Sequence, residues 1–175
     1  MLGDVHHATA VGERVELSLR VRRDCTEAVL ADLLHGAGFE VRSVRAEGAQ
    51  RQITALRFRT LPDVVGPRMR LLVCGLNPSL YAADAGVGYA RPGNRFWPAA
   101  LAAGIASVGR DPAHALHHHG TGFTDLVKRS SVGAAELTAA EYAEGLARLD
   151  RLAGLLQPRA VAFCGLAGWR AAVDR

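Results

Sequence analysis

The sequence predicts an α/β protein in which a short parallel sheet lies between two layers of helices, preceded by a small mixed α+β segment. Continuous apolar runs at residues 71–75 and 160–165 are typical of strands that are buried on both faces. Helical patterns alternate with these runs, which is the order of strand–helix–strand units in a parallel sheet. The pattern changes at residues 61–70, where two prolines and a glycine predict a linker.

Residues 1–60 form the predicted α+β segment, which has no glycine-rich phosphate loop and no cluster of acids or histidines. Alternating apolar and polar residues from Val15 to Val21 predict a half-buried strand. A helix follows Thr26 and ends at Gly36, and two further strands are joined by a turn at Glu47-Gly48. This order resembles in part the last elements of a methyltransferase domain. The cofactor-binding half of such a domain is absent, so we infer no methyl transfer, and the role of the segment stays open.

Residues 71–175 form the predicted three-layer domain. Helices are predicted at 94–104, from Thr138 to 156, and from 166, and a second strand or strand end at 122–127. Thr138 and Glu141 have the spacing of a capping box. The helix that they begin has an apolar stripe. Its members are Tyr142, Leu146, Leu149, Leu152 and Leu156.

Composition and charge limit the classes of protein. Hydrophobic residues make up 49% of the 175 residues, too many for a disordered chain, yet no apolar run is long enough for a membrane helix. The first ten residues lack an apolar signal core, so we expect a cytoplasmic protein with no membrane partner, and we expect a monomer. The net charge of +4 suits a polyanionic partner, although many soluble proteins carry as much.

Metal and redox chemistry find no support in the sequence. Cys25, Cys74 and Cys164 are far apart and form no CxxC pair, which argues against a disulfide framework and against a four-cysteine iron–sulfur cluster. His114 and residues 117–119 lack a carboxylate or cysteine at ligand spacing, so we interpret them as part of a solvated loop. We expect no metal and no cofactor.

Ligands of parallel sheets bind at the carboxyl ends of the strands, and here the first strand leads into Gly75-Leu76-Asn77-Pro78-Ser79. The loop continues through Tyr81 and Tyr89 to Trp97, and its length and its glycines, prolines and aromatics are typical of a site. Asn-Pro by itself often just begins a turn, so a functional and a structural role for Asn77 are equally open at this point. Gly86-Val87-Gly88 offers a phosphate loop as an alternative, but it lacks the full glycine pattern and a lysine.

The combined motifs are more specific. Gly75-Leu76-Asn77-Pro78, followed by residues 89–97 (Tyr-Ala-Arg-Pro-Gly-Asn-Arg-Phe-Trp), closely resembles the mismatch-specific uracil/thymine branch of the uracil-DNA glycosylase superfamily. Thr124-Asp125-Leu126-Val127 and the later strand and helix fit the same family's order. The resemblance covers about residues 70–175. It implies a glycosylase that extrudes uracil, thymine or a damaged pyrimidine opposite guanine from double-stranded DNA, as in G:U and G:T mismatches, and hydrolyses its bond to the sugar during base-excision repair.

The resemblance also implies a role for each matched residue. Asn77 is the catalytic residue, and it orients water because an amide cannot act as a strong base near neutral pH. Tyr89 stacks on the extruded base. Backbone N–H groups of the loop are expected to stabilise the departing base anion. The expected base-binding residues are Leu76, Ser79, Tyr81 and Tyr89. The expected DNA contacts are Arg91, Lys128 and Arg129. The expected supports of the loop are Gly75, Pro78, Asn94, Arg95, Phe96 and Trp97.

Two features depart from the family pattern. Ser79 stands where the family usually has a small residue such as glycine, which can change how the base fits. The family also continues to a further strand and a Ser-Gly-Leu-like loop that wedges into the duplex, and Arg175 precedes any such segment. We therefore expect a C-terminally truncated domain whose sheet lacks its last strand. A catalytically impaired remnant that still binds DNA is the alternative function. For Asp125, a turn or capping role is favoured over a role in chemistry.

Overall fold

A computed structural model describes residues 2–22 and 25–173. The N-terminal part contains helix α1 (Leu2–Ala8), strand β1 (Arg14–Arg20), helix α2 (Glu27–Gly36), and strands β2 (Phe39–Glu47) and β3 (Gln50–Arg57). The three strands form an antiparallel sheet in the order β1-β3-β2, and α2 packs on it. The strands and helix predicted for this part are confirmed, and α1 is an addition that the sequence analysis did not predict.

The second part holds the parallel sheet. Strand β4 (Leu71–Gly75) lies at its centre, between β5 (Thr121–Asp125) on one side and β6 (Val161–Phe163) on the other. Both neighbours run parallel to β4, so the carboxyl ends of all three strands lie at one edge of the sheet. The predicted fold class, a small parallel sheet flanked by helices, is confirmed.

Helices surround this sheet. In chain order they are α3 (Leu80–Ala85), α4 (Phe96–Ala102), α5 (Pro112–His119), α6 (Ala139–Leu156) and α7 (Leu166–Val173), with a short 3-10 helix at Ala134–Glu136. The capping box predicted for α6 is present, since Thr138 Oγ1 accepts a hydrogen bond from Glu141 N and the Glu141 side chain accepts one from Thr138 N. The predicted stripe of α6 packs on Met69, Leu72 and Leu126.

Two local predictions are wrong. The histidines 114 and 117–119 lie in helix α5, not in a loop, because Asp111 caps that helix and Gly120 ends it in the left-handed conformation. The Ser107 hydroxyl is within hydrogen-bond distance of the His114 and His119 rings. The long loop after Ser79 likewise contains a helix, α3. Within the described residues no group of three His, Cys, Asp or Glu side chains is placed to hold a metal ion, and no helix is both long and apolar enough to cross a membrane.

The stretch predicted as a linker is packed against the second part. Val64 and Phe123 exchange two backbone hydrogen bonds, and Met69 is 2% exposed. Asp63 forms ion pairs with Lys128 and Arg148, and all three side chains are buried. Arg151 of α6 also pairs with Asp32 of α2 at 2.6 Å. Charged contacts therefore attach α2 and residues 61–70 to α6 and to the end of β5.

Candidate active site

A cavity of about 260 Å³ opens at the carboxyl ends of β4 and β5. Gly75 and Asp125, the last residues of these strands, are paired in the sheet, and the loop from Leu76 to Ser79 crosses above them. Because a cavity of about 150 Å³ can hold a benzene ring, this volume is large enough for one pyrimidine base. A larger groove, of about 690 Å³, lies between α2 and α6, and no residue from Leu76 to Trp97 lines it.

Asn77 lies in this cavity with a fixed amide. Its Nδ2 donates hydrogen bonds to the Arg129 carbonyl at 3.1 Å and to the Ser131 hydroxyl at 2.8 Å. A carbonyl oxygen can only accept, so the group that faces Arg129 must be the NH₂ of the amide. The Asn77 oxygen, Oδ1, is therefore the atom left to accept a hydrogen bond from water or substrate.

Ser79 lines the cavity and also caps helix α3. Its hydroxyl accepts a hydrogen bond from Ala82 N at 3.1 Å, which satisfies one of the free N–H groups of the first turn. A glycine at this position would have no hydroxyl for this bond. Pro78 is buried, and its carbonyl accepts a hydrogen bond from Ser131 N, so residues 129–131 support the loop. Leu76 also lines the cavity.

Tyr89 forms one wall of the cavity. It has a positive φ of 59°, and its ring stacks on Phe96 with the ring centroids 4.1 Å apart. Phe96 in turn meets Trp97 edge-on, and the Trp97 indole N–H donates to the Gly88 carbonyl at 2.9 Å. The aromatic residues after the loop therefore hold the segment that carries Tyr89. Asn94, also on the cavity wall, accepts a hydrogen bond from Phe96 N, and Arg95 is exposed.

The basic residues expected to contact DNA lie in three different environments. Arg91 is exposed at the cavity rim. Arg129 is half-exposed, and its guanidinium donates to Glu141 at 2.6 and 3.1 Å. Lys128 is 2% exposed, and its ammonium donates to the Leu61 carbonyl at 2.6 Å and to Asp63 at 2.8 Å. Phosphate has no access to Lys128, because its amine is buried in the ion pair with Asp63.

Tyr81 is placed apart from the other residues expected to bind the base. It lies in α3 with 46% of its surface exposed and does not line the cavity. Asp125, in contrast, does line the cavity, although the sequence analysis favoured a capping role for it. The signal available in the sequence was its place at the end of a predicted strand, since ligands of parallel sheets bind at the carboxyl ends of the strands.

Burial controls the ionisation of the groups around the cavity. It raises the pKa of Asp125 to about 6, an effect that Lys128 opposes. It also raises the pKa of the Tyr89 hydroxyl and of the Cys74 thiol, and the Asp125 carboxylate adds to both shifts. Tyr89 and Cys74 therefore stay protonated at neutral pH, whereas Asp125 changes charge close to it. Cys74 is buried and Cys164 is half-buried.

These features describe a pocket of mixed polarity with a fixed amide and an aromatic wall. A family model of the Uracil DNA glycosylase superfamily matches residues 62–175. The chain belongs to this superfamily. Membership indicates a DNA glycosylase, which is a hydrolase of the bond between base and sugar in DNA repair, and it indicates DNA as the partner. The matched region contains the whole cavity wall apart from Leu61.

Proposed function

We propose that this chain is a mismatch-directed glycosylase that removes uracil, and also thymine or a damaged pyrimidine, opposite guanine. The observation that supports it best is the fixed amide of Asn77 in a cavity that fits one base. A mismatched pair costs least to open, which favours such pairs as substrates.

The reaction needs a positioned water and a stable leaving group. Asn77 Oδ1 accepts a hydrogen bond from the water, whose oxygen attacks C1′ of the deoxyribose. The bond from C1′ to N1 of the base breaks, and its electron pair leaves with the base as an anion. The water gives up one proton as its oxygen bonds to C1′, and the base anion takes up one proton, either from this water or from solvent, so that a free base and an abasic sugar result. Asn77 orients this water but does not take its proton. The rate of the reaction therefore depends mainly on how readily the base leaves as an anion.

The test of this proposal is base release from labelled duplexes that contain a single G:U, G:T or A:U pair. We expect the wild type to release uracil from G:U faster than from A:U. Asn77→Ala loses the acceptor for the water, and we expect its rate to fall about 10²-fold or more, the range for a misplaced reacting group. The readout is strand cleavage at the abasic site after alkali treatment.

A matched control removes another carboxamide from the chain. Gln52 lies in β3, in the N-terminal sheet, and Gln52→Ala should keep the wild-type rate. Duplex binding by the wild type without base release would contradict the proposed activity. Equal rates for the wild type and Asn77→Ala would contradict the role of Asn77.

A further inference from the structure

Asp125 shares the base cavity with Asn77 and Tyr89. A Cβ atom added to Gly75 would overlap Asp125 Oδ1 and would lie 3.0 Å from the Tyr89 hydroxyl. Asp125 Oδ1 and the Tyr89 hydroxyl therefore both lie close to the bare Cα of Gly75, at the end of the central strand. The mechanism based on Asn77 makes no use of this carboxyl.

The surroundings of Asp125 compensate a negative charge only in part. Its side chain is 15% exposed, and its Oδ2 lies 4.0 Å from the Lys128 ammonium. That ammonium already donates at shorter range to Leu61 and Asp63. The charged groups that act on Asp125 are Lys128 after β5, Asp63 before β4 and Arg148 of α6, and Asp125 in turn acts on Tyr89, on Cys74 of β4 and on Cys164 after β6. Asp125 also lines a second cavity, of about 390 Å³, in which four further titratable or charged residues lie: Asp4, His7, Arg110 and Asp111.

Burial is the largest influence on this carboxyl, and it favours the neutral form. Asp63 acts in the same direction, whereas Lys128 and Arg148 favour the charged form, and the balance raises the pKa of Asp125 to about 6. The acid is thus neutral below that pH and a carboxylate above it. A change of charge therefore occurs within the base cavity over the range in which glycosylases are assayed.

The two forms of Asp125 have opposite effects on a departing pyrimidine. As the bond to C1′ breaks, negative charge develops on the base and spreads to its carbonyl oxygens. A carboxylate in the same small, poorly solvated cavity repels that charge. A neutral carboxyl group instead donates a hydrogen bond to a carbonyl oxygen, and this bond becomes stronger as the charge develops.

We propose that Asp125 contacts the extruded base as a neutral carboxylic acid, that it donates a hydrogen bond to a carbonyl oxygen of uracil or thymine, and that its ionisation slows excision. This inference rests on the proposed function and extends it, since it assigns a specificity-determining residue and a pH dependence to the same site. The carboxyl proton stays on Asp125, so no proton transfer is added to the reaction.

The test measures single-turnover release of uracil from the G:U duplex between pH 5 and pH 8.5. We expect the wild-type rate to be constant at low pH and to fall about tenfold per pH unit above pH 6, as one essential proton is lost. In Asp125→Asn the new side chain has the same shape as aspartic acid and is always neutral, so the rate of uracil release by this variant should not vary with pH. At pH 8 it should exceed the wild type by about tenfold or more. Asp125→Ser is a second neutral variant that should also show no pH dependence, at a lower rate.

The control is Asp150→Asn, which makes the same chemical change at an exposed position of α6 and should keep the wild-type profile. A pH profile of Asp125→Asn that follows the wild type would overturn the inference while the proposed function stands. If the wild type releases no base, the proposed function fails. The role of Asp125 is then tested by the affinity for a duplex that carries uncleavable 2′-fluoro-deoxyuridine opposite guanine. Binding that weakens from pH 5.5 to pH 8 in the wild type but not in Asp125→Asn supports the inference, and equal weakening overturns it.

Discussion

At the scale of single residues, the site brings together two polar side chains that are held in different ways. Asn77 is held by hydrogen bonds to Arg129 and Ser131, which fix the orientation of its amide. Asp125 lies close to the Gly75 backbone, and its Oδ2 is 4.0 Å from the Lys128 ammonium. The lack of a side chain at Gly75 is therefore part of the site, because only a bare Cα leaves room for Asp125 Oδ1 and the Tyr89 hydroxyl.

Gly75→Ala should damage the site more than it damages the fold. The added methyl group overlaps Asp125 Oδ1 and approaches the Tyr89 hydroxyl. Overpacking of this kind costs about 1–3 kcal/mol of stability, and a displaced Asp125 or Tyr89 should lower uracil release at least tenfold. Gly88→Ala is the control in the same cavity, because its Cβ would lie 3.6 Å from Leu61, an ordinary contact. Urea unfolding and single-turnover kinetics measure the two effects, and equal rates for the two variants would contradict this account.

At the scale of elements, helix α6 fixes the segment that follows β5. Leu149 of the helix packs with Leu126, the residue directly after Asp125, and Gly145 lets the helix approach the Leu126 backbone closely. Glu141, in the first turn, accepts hydrogen bonds from Arg129, whose carbonyl anchors Asn77. The helix thus supports both polar residues of the site from behind.

Two glycines of α6 should respond in opposite ways to alanine. A Cβ at Gly145 would overlap the Leu126 carbonyl oxygen, which is backbone and cannot rotate away, so Gly145→Ala should lower the free energy of unfolding by about 2 kcal/mol or more. Gly154 has open space at the same place, so Gly154→Ala should raise it by about 0.5–1 kcal/mol through helix propensity alone. Urea denaturation of both variants measures this contrast. Stabilisation by both substitutions would show that α6 does not approach residue 126 this closely.

At the scale of the whole molecule, buried charges join the N-terminal part to the glycosylase region. Asp63, just before β4, pairs with Lys128 and Arg148 and accepts a hydrogen bond from Thr124. The Arg148 guanidinium also donates to the Asp32 carbonyl at the buried face of α2. The carboxylate of Asp63 thus compensates two cations beside the cavity, and its own negative charge disfavours ionisation of Asp125.

Asp63→Ala should destabilise the whole chain. It leaves two buried cations without their carboxylate, and breaking such a pair typically costs 3–5 kcal/mol. Glu40→Ala is the control, because it breaks an ion pair with Arg42 in which both side chains are about half exposed, and it should cost less than about 1 kcal/mol. Thermal and urea unfolding compare the two. Similar losses for both variants would mean that the buried network contributes no more than a surface pair.

The sequence by itself determined most of the strands and the longest helix, and it predicted the candidate site at the loop from Gly75 to Ser79. Strands β4 and β6, helix α6 and the loop from Gly75 to Ser79 follow from local patterns, because apolar periodicity and capping residues act within a few positions. The motif from Asn77 to Trp97 also indicated the superfamily. The family model that matches residues 62–175 confirms the superfamily. Helix α5 was missed, because its histidines form no clear apolar stripe.

Only the tertiary structure decided what the charged residues do. Lys128 looked like a surface cation until its partner Asp63, far away in sequence, was found beside it in the core. Asp125 looked like a turn residue until the pairing of β5 with β4 placed it opposite Gly75 in the base cavity. The physical reason is the same in both cases. The charge state of a side chain depends on burial and on neighbours within a few ångströms, and for these residues the neighbours come from distant parts of the chain.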